Sequence, residues 1–162
     1  MKRLQTIESP APPVSRREFC ACACQTAALL AAGTFAACGD SSTSPSSNAP
    51  QLGTVAGTVS GRTVSVTVDA GSALAAVNSA AMVQTSLGTF LLARTAQDTF
   101  SALTAVCTHE GCSVTGFASN QFVCPCHGSR FTTSGSVANG PATRALQQYN
   151  TQFANNVLTF SV

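Results

Sequence analysis

Two short stretches hold both histidines of the chain and four of its eight cysteines. They read Cys107-Thr108-His109-Glu110-Gly111-Cys112 and Cys124-Pro125-Cys126-His127-Gly128-Ser129. Six side chains able to bind a soft metal within 21 positions constrain the fold more than any other feature. For thiols and imidazoles from both stretches to converge, each stretch must be a tight loop. Gly111 and Gly128 allow those turns, because glycine reaches positive φ at little steric cost. A structural zinc site would pair hooks of two cysteines or two histidines. Here the hooks are Cys-x-His and Cys-x-x-His with extra cysteines, which fits zinc poorly. Two disulfides would use all four cysteines and leave both histidines without a role.

Upstream and downstream of the two boxes the pattern is that of strands. Val64, Val66 and Val68 alternate with Ser65 and Thr67, giving one apolar and one polar face. Thr54–Val59, Met82–Ser86, Thr89–Arg94, Phe100–Val106, Leu146–Phe153 and Val157–Val162 are further short runs predicted to be strands, punctuated by Gly, Asn, Asp and Ser. Box one follows the Phe100–Val106 run, and box two follows the short run Gln121–Val123. One helix is expected, over the Ala-rich stretch Ser72–Ala80. Evenly spaced short strands predict an antiparallel β-sandwich or barrel over residues 52–162.

The N-terminal third reads differently. Ser15-Arg16-Arg17-Glu18-Phe19 resembles a twin-arginine export motif, and Phe19 to Ala37 is an uncharged run of apolar and small residues. Thr34-Phe35-Ala36-Ala37-Cys38 resembles a bacterial lipobox, with Cys38 as the lipidated mature N-terminus, although Phe35 is unusual there. As a helix the same run would reach about 28 Å, enough to stay as a membrane anchor. A cleaved signal releasing a free protein is the third possibility. All three put the rest of the chain outside the cytoplasm. Cys20, Cys22 and Cys24 sit inside this run and are expected to be small apolar fillers. Residues 39–51, rich in Ser, Pro, Asn and Gly, are expected to form a flexible tether.

Charge excludes some partners. The net charge of +2 comes from Lys2, Arg3, Arg16 and Arg17 against Glu8 and Glu18; from Cys38 onward four basic residues balance four acidic ones. No basic patch for nucleic acid is expected, and no Rossmann or P-loop fingerprint points to a nucleotide cofactor.

The two boxes resemble those of the Rieske iron–sulfur proteins. The resemblance covers roughly residues 74–162 and includes Asn139-Gly140-Pro141-Ala142, similar to the family's cluster-covering loop. It implies an all-β Rieske-type fold, with one [2Fe–2S] cluster held by two loops at one end of the sandwich. By position, Cys107 and Cys124 would bind the inner iron, and His109 and His127 the outer one. Imidazole ligation makes such clusters easier to reduce than all-thiolate ones. Cys112 and Cys126 match a pair that forms a disulfide in one branch of the family, which suits an oxidising compartment. Cluster-tuning roles would fall to Ser129, Phe131, Glu110 and Pro141.

Two departures bear on the redox potential. Rieske subunits of bc-type complexes usually have an apolar residue where this chain has Glu110, and a tyrosine where it has Phe131. Phe131 cannot donate a hydrogen bond to a cluster sulfur, and a carboxylate near His109 disfavours the reduced cluster. The expectation is a potential below that of quinol-oxidising members. After the cluster no histidine is left for the mononuclear iron of a Rieske oxygenase. The expected function is therefore electron transfer by a tethered carrier or accessory redox subunit, with no catalytic site of its own. Its partners would be redox proteins: a c-type cytochrome, a cytochrome b or a molybdopterin subunit. The alternatives are the Rieske arm of a quinol–cytochrome c oxidoreductase and the small subunit of a molybdenum enzyme such as arsenite oxidase. A non-redox zinc-binding β-domain is the more remote one.

Overall fold

The computed structural model describes residues 49–162. The export motif, Cys38 and most of the expected tether lie outside the described residues. Thirteen strands follow in chain order: β1 (Gly53–Val55), β2 (Thr58–Ser60), β3 (Thr63–Thr67), β4 (Ala80–Thr85), β5 (Gly88–Ala96), β6 (Thr99–Thr104), β7 (Gly116–Ala118), β8 (Gln121–Val123), β9 (Arg130–Thr132), β10 (Val137–Asn139), β11 (Gln148–Tyr149), β12 (Thr151–Ala154) and β13 (Val157–Ser161). They form three sheets, ordered β1-β4-β5-β6-β11, β12-β13-β3-β2 and β10-β9-β8-β7. Every pairing is antiparallel except β1 with β4, which is parallel.

The five-stranded sheet carries both cores, one on each face. Phe90, Leu92, Phe100 and Ala102 meet Val64, Val66, Leu158 and Phe160 of the β12-β13-β3-β2 sheet. Their alternate neighbours, Leu91, Ala93, Leu103 and Ala105, pack with Phe122, Phe131, Cys107 and Cys124 on the other face. This is why β5 and β6 read as nearly unbroken apolar runs: a strand covered on both sides has no polar face to alternate. By contrast β3 and β13, covered on one side, keep the clean alternation.

Three expectations need correction. No helix forms over Ser72–Ala80; the stretch is a series of turns, and Ala80 opens β4. Eight or nine residues are too few to repay helix nucleation alone. The Ser72 hydroxyl accepts the Leu74 N–H at 3.2 Å, and Asn78 adopts a left-handed φ of 65°. The Leu74 and Ala75 carbonyls, which a helix would use, accept hydrogen bonds from the Arg94 guanidinium instead. The run Thr54–Val59 is broken between β1 and β2, and Leu146–Phe153 is shortened and broken at Asn150 between β11 and β12. Ahead of β1, Pro50 and Gln51 pair with β7: the Pro50 carbonyl accepts the Phe117 N–H at 2.9 Å, and Gln51 bridges Gly116.

Candidate metal centre

The two boxes fold into loops of the same shape. In box one the Cys107 N–H donates to the Cys112 carbonyl at 2.8 Å, and the Gly111 N–H returns to the Cys107 carbonyl at 2.9 Å. In box two the Cys124 N–H donates to the Ser129 carbonyl at 2.9 Å, and the Gly128 N–H to the Cys124 carbonyl at 3.0 Å. Both glycines have φ of 75°. A Cβ at either would meet nothing within 4 Å, so backbone conformation alone demands glycine there. Strand β6 leads into the first loop, and β8 and β9 hold the second between them.

A disulfide joins Cys112 to Cys126, with the Cα atoms 6.5 Å apart. It ties the two loops together, as the resemblance implied. Cys107 and Cys124 are free and buried, and each stands at the same point of its loop. Burial pushes the Cys124 thiol up from its ordinary pKa, and a hydrogen bond with the neighbouring Cys107 thiol adds to the rise. The N–H groups of Cys126 and His127 point at the Cys124 sulfur and oppose it. Metal binding to this pair must therefore displace protons from thiols held in a dry site.

His109 and His127 stand toward solvent, with side chains 27% and 45% exposed. Their Nδ1 atoms are 3.2 Å apart and their rings lie edge to face. Two nitrogens on one tetrahedral first-row ion, each at about 2.0–2.1 Å, stand about 3.3 Å apart. The imidazoles are thus already spaced to share one ion. Glu110 lies beside both rings: one carboxylate oxygen is 3.9 Å from His109 Nε2 and the other 3.7 Å from His127 Nδ1.

The surrounding loops lock onto this pair. The buried Ser129 hydroxyl accepts the Ala142 N–H at 3.0 Å, which draws the Asn139–Ala142 loop against box two and leaves the hydroxyl proton free to donate. Pro141, in a cis peptide, is exposed at that loop. Phe131 is fully buried in the same apolar cluster as Cys107 and Cys124. Sequence reasoning missed Thr108. Its hydroxyl donates to the Arg144 carbonyl at 2.6 Å and ties box one to the far end of the 139–144 loop. Only the fold brings those residues together, so no local signal marked it.

The site is a β-domain whose two matched loops present two buried thiols and two outward imidazoles. That donor set suits a binuclear iron–sulfur cluster with one iron on thiolates and one on histidines. The sequence profile of the Rieske [2Fe-2S] domain matches residues 45–150, and the chain belongs to that family. It therefore carries one [2Fe–2S] cluster. Among similar curated proteins is the cytochrome b6-f complex iron-sulfur subunit of Synechococcus sp. (strain JA-3-3Ab), 33% identical over 158 residues, 93% of this chain and 89% of that protein. The same-named subunit of Cyanothece sp. (strain PCC 7425) is 42% identical over 60 residues, 36% of this chain and 34% of the relative, so that match spans about a third of the relative's length. Among solved structures, the cyanobacterial plasma membrane Rieske protein PetC3 from Synechocystis PCC 6803 is 34% identical, with 50% of this chain and 84% of that one covered and a TM-score of 0.46.

Proposed function

We propose that the chain is a single-electron carrier or accessory redox subunit tethered to the outer face of a bacterial cytoplasmic membrane. Cys107 and Cys124 are assigned to the inner iron, and His109 and His127 to the outer one. The observation that carries this reading is the 3.2 Å approach of the Nδ1 atoms of two partly exposed imidazoles, on the same two loops that hold two free, buried thiols. When bound, the cluster takes up and releases one electron; the chain's residues determine where and how easily. The thiols anchor the buried end, and the imidazole edges give an electron partner access at the surface. Ser129 supplies a hydroxyl donor to the cluster's surroundings and fixes the Pro141 loop over it. Glu110 adds negative charge beside both imidazoles and Phe131 supplies no donor, so both hold the potential down.

In this reading residues 1–38 export and anchor the protein, 39–51 are the tether and 52–162 the redox domain. Export in the folded state through a twin-arginine route suits a chain that must receive its cluster before crossing the membrane. The partner would be a redox protein such as a c-type cytochrome. A second reading, the iron–sulfur arm of a cytochrome bc-type complex, is favoured by the names of the relatives. In that case the apolar segment 19–37 would be kept as a membrane helix.

Two measurements test these assignments. Electron paramagnetic resonance of the reduced full-length protein should give a Rieske-type signal that is absent from His127→Ala and retained by Glu110→Gln. A full wild-type signal from His127→Ala would overturn the ligand set. The intact mass of the membrane-extracted protein should correspond to a chain beginning at lipidated Cys38. A mass that includes residues 1–37 would favour the bc-type reading instead.

A further inference from the structure

Glu110 has a consequence beyond the potential of a loaded cluster. Its carboxylate, His109 and His127 each offer a ligand atom, and these atoms lie within 4.8 Å of one another. Two imidazoles and one carboxylate on one face, with open positions opposite, are the donor set of a mononuclear divalent site. Two of the three edges are close to formed. The two Nδ1 atoms are 3.2 Å apart and Glu110 is 3.7 Å from that of His127, against about 3.3 Å for neighbouring ligands on a tetrahedral first-row ion. On the third edge the carboxylate now faces His109 Nε2, at 3.9 Å; Glu110 is 61% exposed, so its side chain is free to swing toward the two Nδ1 atoms. The set needs neither thiol. Cys112 and Cys126 are withdrawn by their disulfide, and Cys107 and Cys124 are buried.

We propose that, before the cluster is in place, His109, His127 and Glu110 form a surface site for a single divalent first-row transition-metal ion, and that this ion competes with cluster loading. Ion binding follows from the three side chains alone. The competition rests on the assignment of both histidines to the cluster. A chain with an apolar residue at position 110 would keep two ligands and lose the charged one, so the site depends on this particular residue. Assembly of the cluster is then sensitive to free zinc or a similar ion, and carrying the cluster across the membrane already bound would avoid the competitor outside.

The experiment uses the full chain freed of its cluster by chelation, and a Cys107→Ser/Cys124→Ser chain that cannot hold one. Both are titrated with Co²⁺ and followed by visible absorption, with circular dichroism recorded alongside to show that the strands are kept. We expect one Co²⁺ per chain in both proteins, ligand-field bands without thiolate-to-cobalt charge transfer, and binding at least about tenfold weaker in Glu110→Gln, since even outer-shell partners of metal ligands carry that much. Absence of binding, a thiolate charge-transfer band in the chelated wild type, or equal affinity in Glu110→Gln each overturns the site. Zn²⁺ added before iron and sulfide should slow cluster assembly in the wild type and not in Glu110→Gln. Equal rates would overturn the competition. Failure of the ligand assignment itself would show separately, as a loaded His127→Ala protein with an intact paramagnetic signal.

Discussion

Ser129 and Phe131 sit two positions apart around the start of one short strand and differ in what they offer the site. Ser129 is buried, accepts a backbone N–H from Ala142, and still has a proton to give. Phe131 is equally buried and has none. A hydrogen bond to a cluster sulfur stabilises the more negative, reduced form. If it contributes about 1.4 kcal/mol, that is about 60 mV for one electron. We predict that Phe131→Tyr raises the midpoint potential by about that amount. Redox titration checks it; an unchanged or lowered midpoint would show that a hydroxyl there does not reach the cluster's surroundings. The identity of both residues was readable from the sequence. That Ser129 also holds the 139–144 loop was not, because its partner is 13 residues away and reaches it only through the fold.

At the scale of elements, the segment Ser72–Ala80 shows how a distant residue overrides local preference. Its alanines favour helix, yet Arg94 on β5 takes its carbonyls. The guanidinium donates to Ala75 at 2.6 Å, to Leu74 at 3.4 Å and to the Gln97 carbonyl, and stacks over the Phe100 ring at 5.3 Å. Arg94 is nearly buried and its hydrogen bonds go to carbonyls, so its value lies in joining the 72–79 turns to the β5–β6 hairpin. Replacing it by Met keeps the bulk and removes every donor. Leaving carbonyls unpaired costs about 1–3 kcal/mol each when buried, and we predict a loss of about 3 kcal/mol in urea denaturation of Arg94→Met, with the cluster spectrum retained. A loss below about 0.5 kcal/mol, the range of ordinary surface changes, would mean that the turns hold themselves. The sequence pattern found the longer strands because a period of two needs only neighbours. It missed β7, β9 and β10, each three residues long, since so short a run contains no period to detect. It also missed the parallel pairing of β1 with β4, which no local pattern encodes.

Over the described residues as a whole, the five-stranded sheet separates two cores of different composition. One, between β5–β6 and β3–β13, consists of aliphatic and aromatic side chains. The other includes Cys107 and Cys124 themselves and extends to Phe122 and Phe131. With Cys107 and Cys124 holding the cluster as proposed, its removal would leave the first core intact and leave the thiols of the second without their metal. Local opening follows the weaker core. We predict that after chelation, with the Cys112–Cys126 disulfide kept, backbone amides of β8, β9 and both loops exchange with solvent at least about tenfold faster, while those of β3 and β13 change little. Uniform acceleration across both cores would show that the molecule opens as one unit.

The sequence by itself held the resemblance to the family, because six Cys and His residues stand at fixed offsets in two glycine-bearing boxes. It also determined the all-β class, since alternation and β-branched runs express a preference that each strand carries locally. Only the tertiary structure decided which face each buried strand turned to which core, that Arg94 would dissolve the expected helix, and that Thr108 and Ser129 would tie the loops to residues 139–144. It also decided that Glu110 would stand beside both imidazoles at once. These are contacts between segments far apart in the chain. Their energies depend on distances in space that spacing along a sequence does not contain.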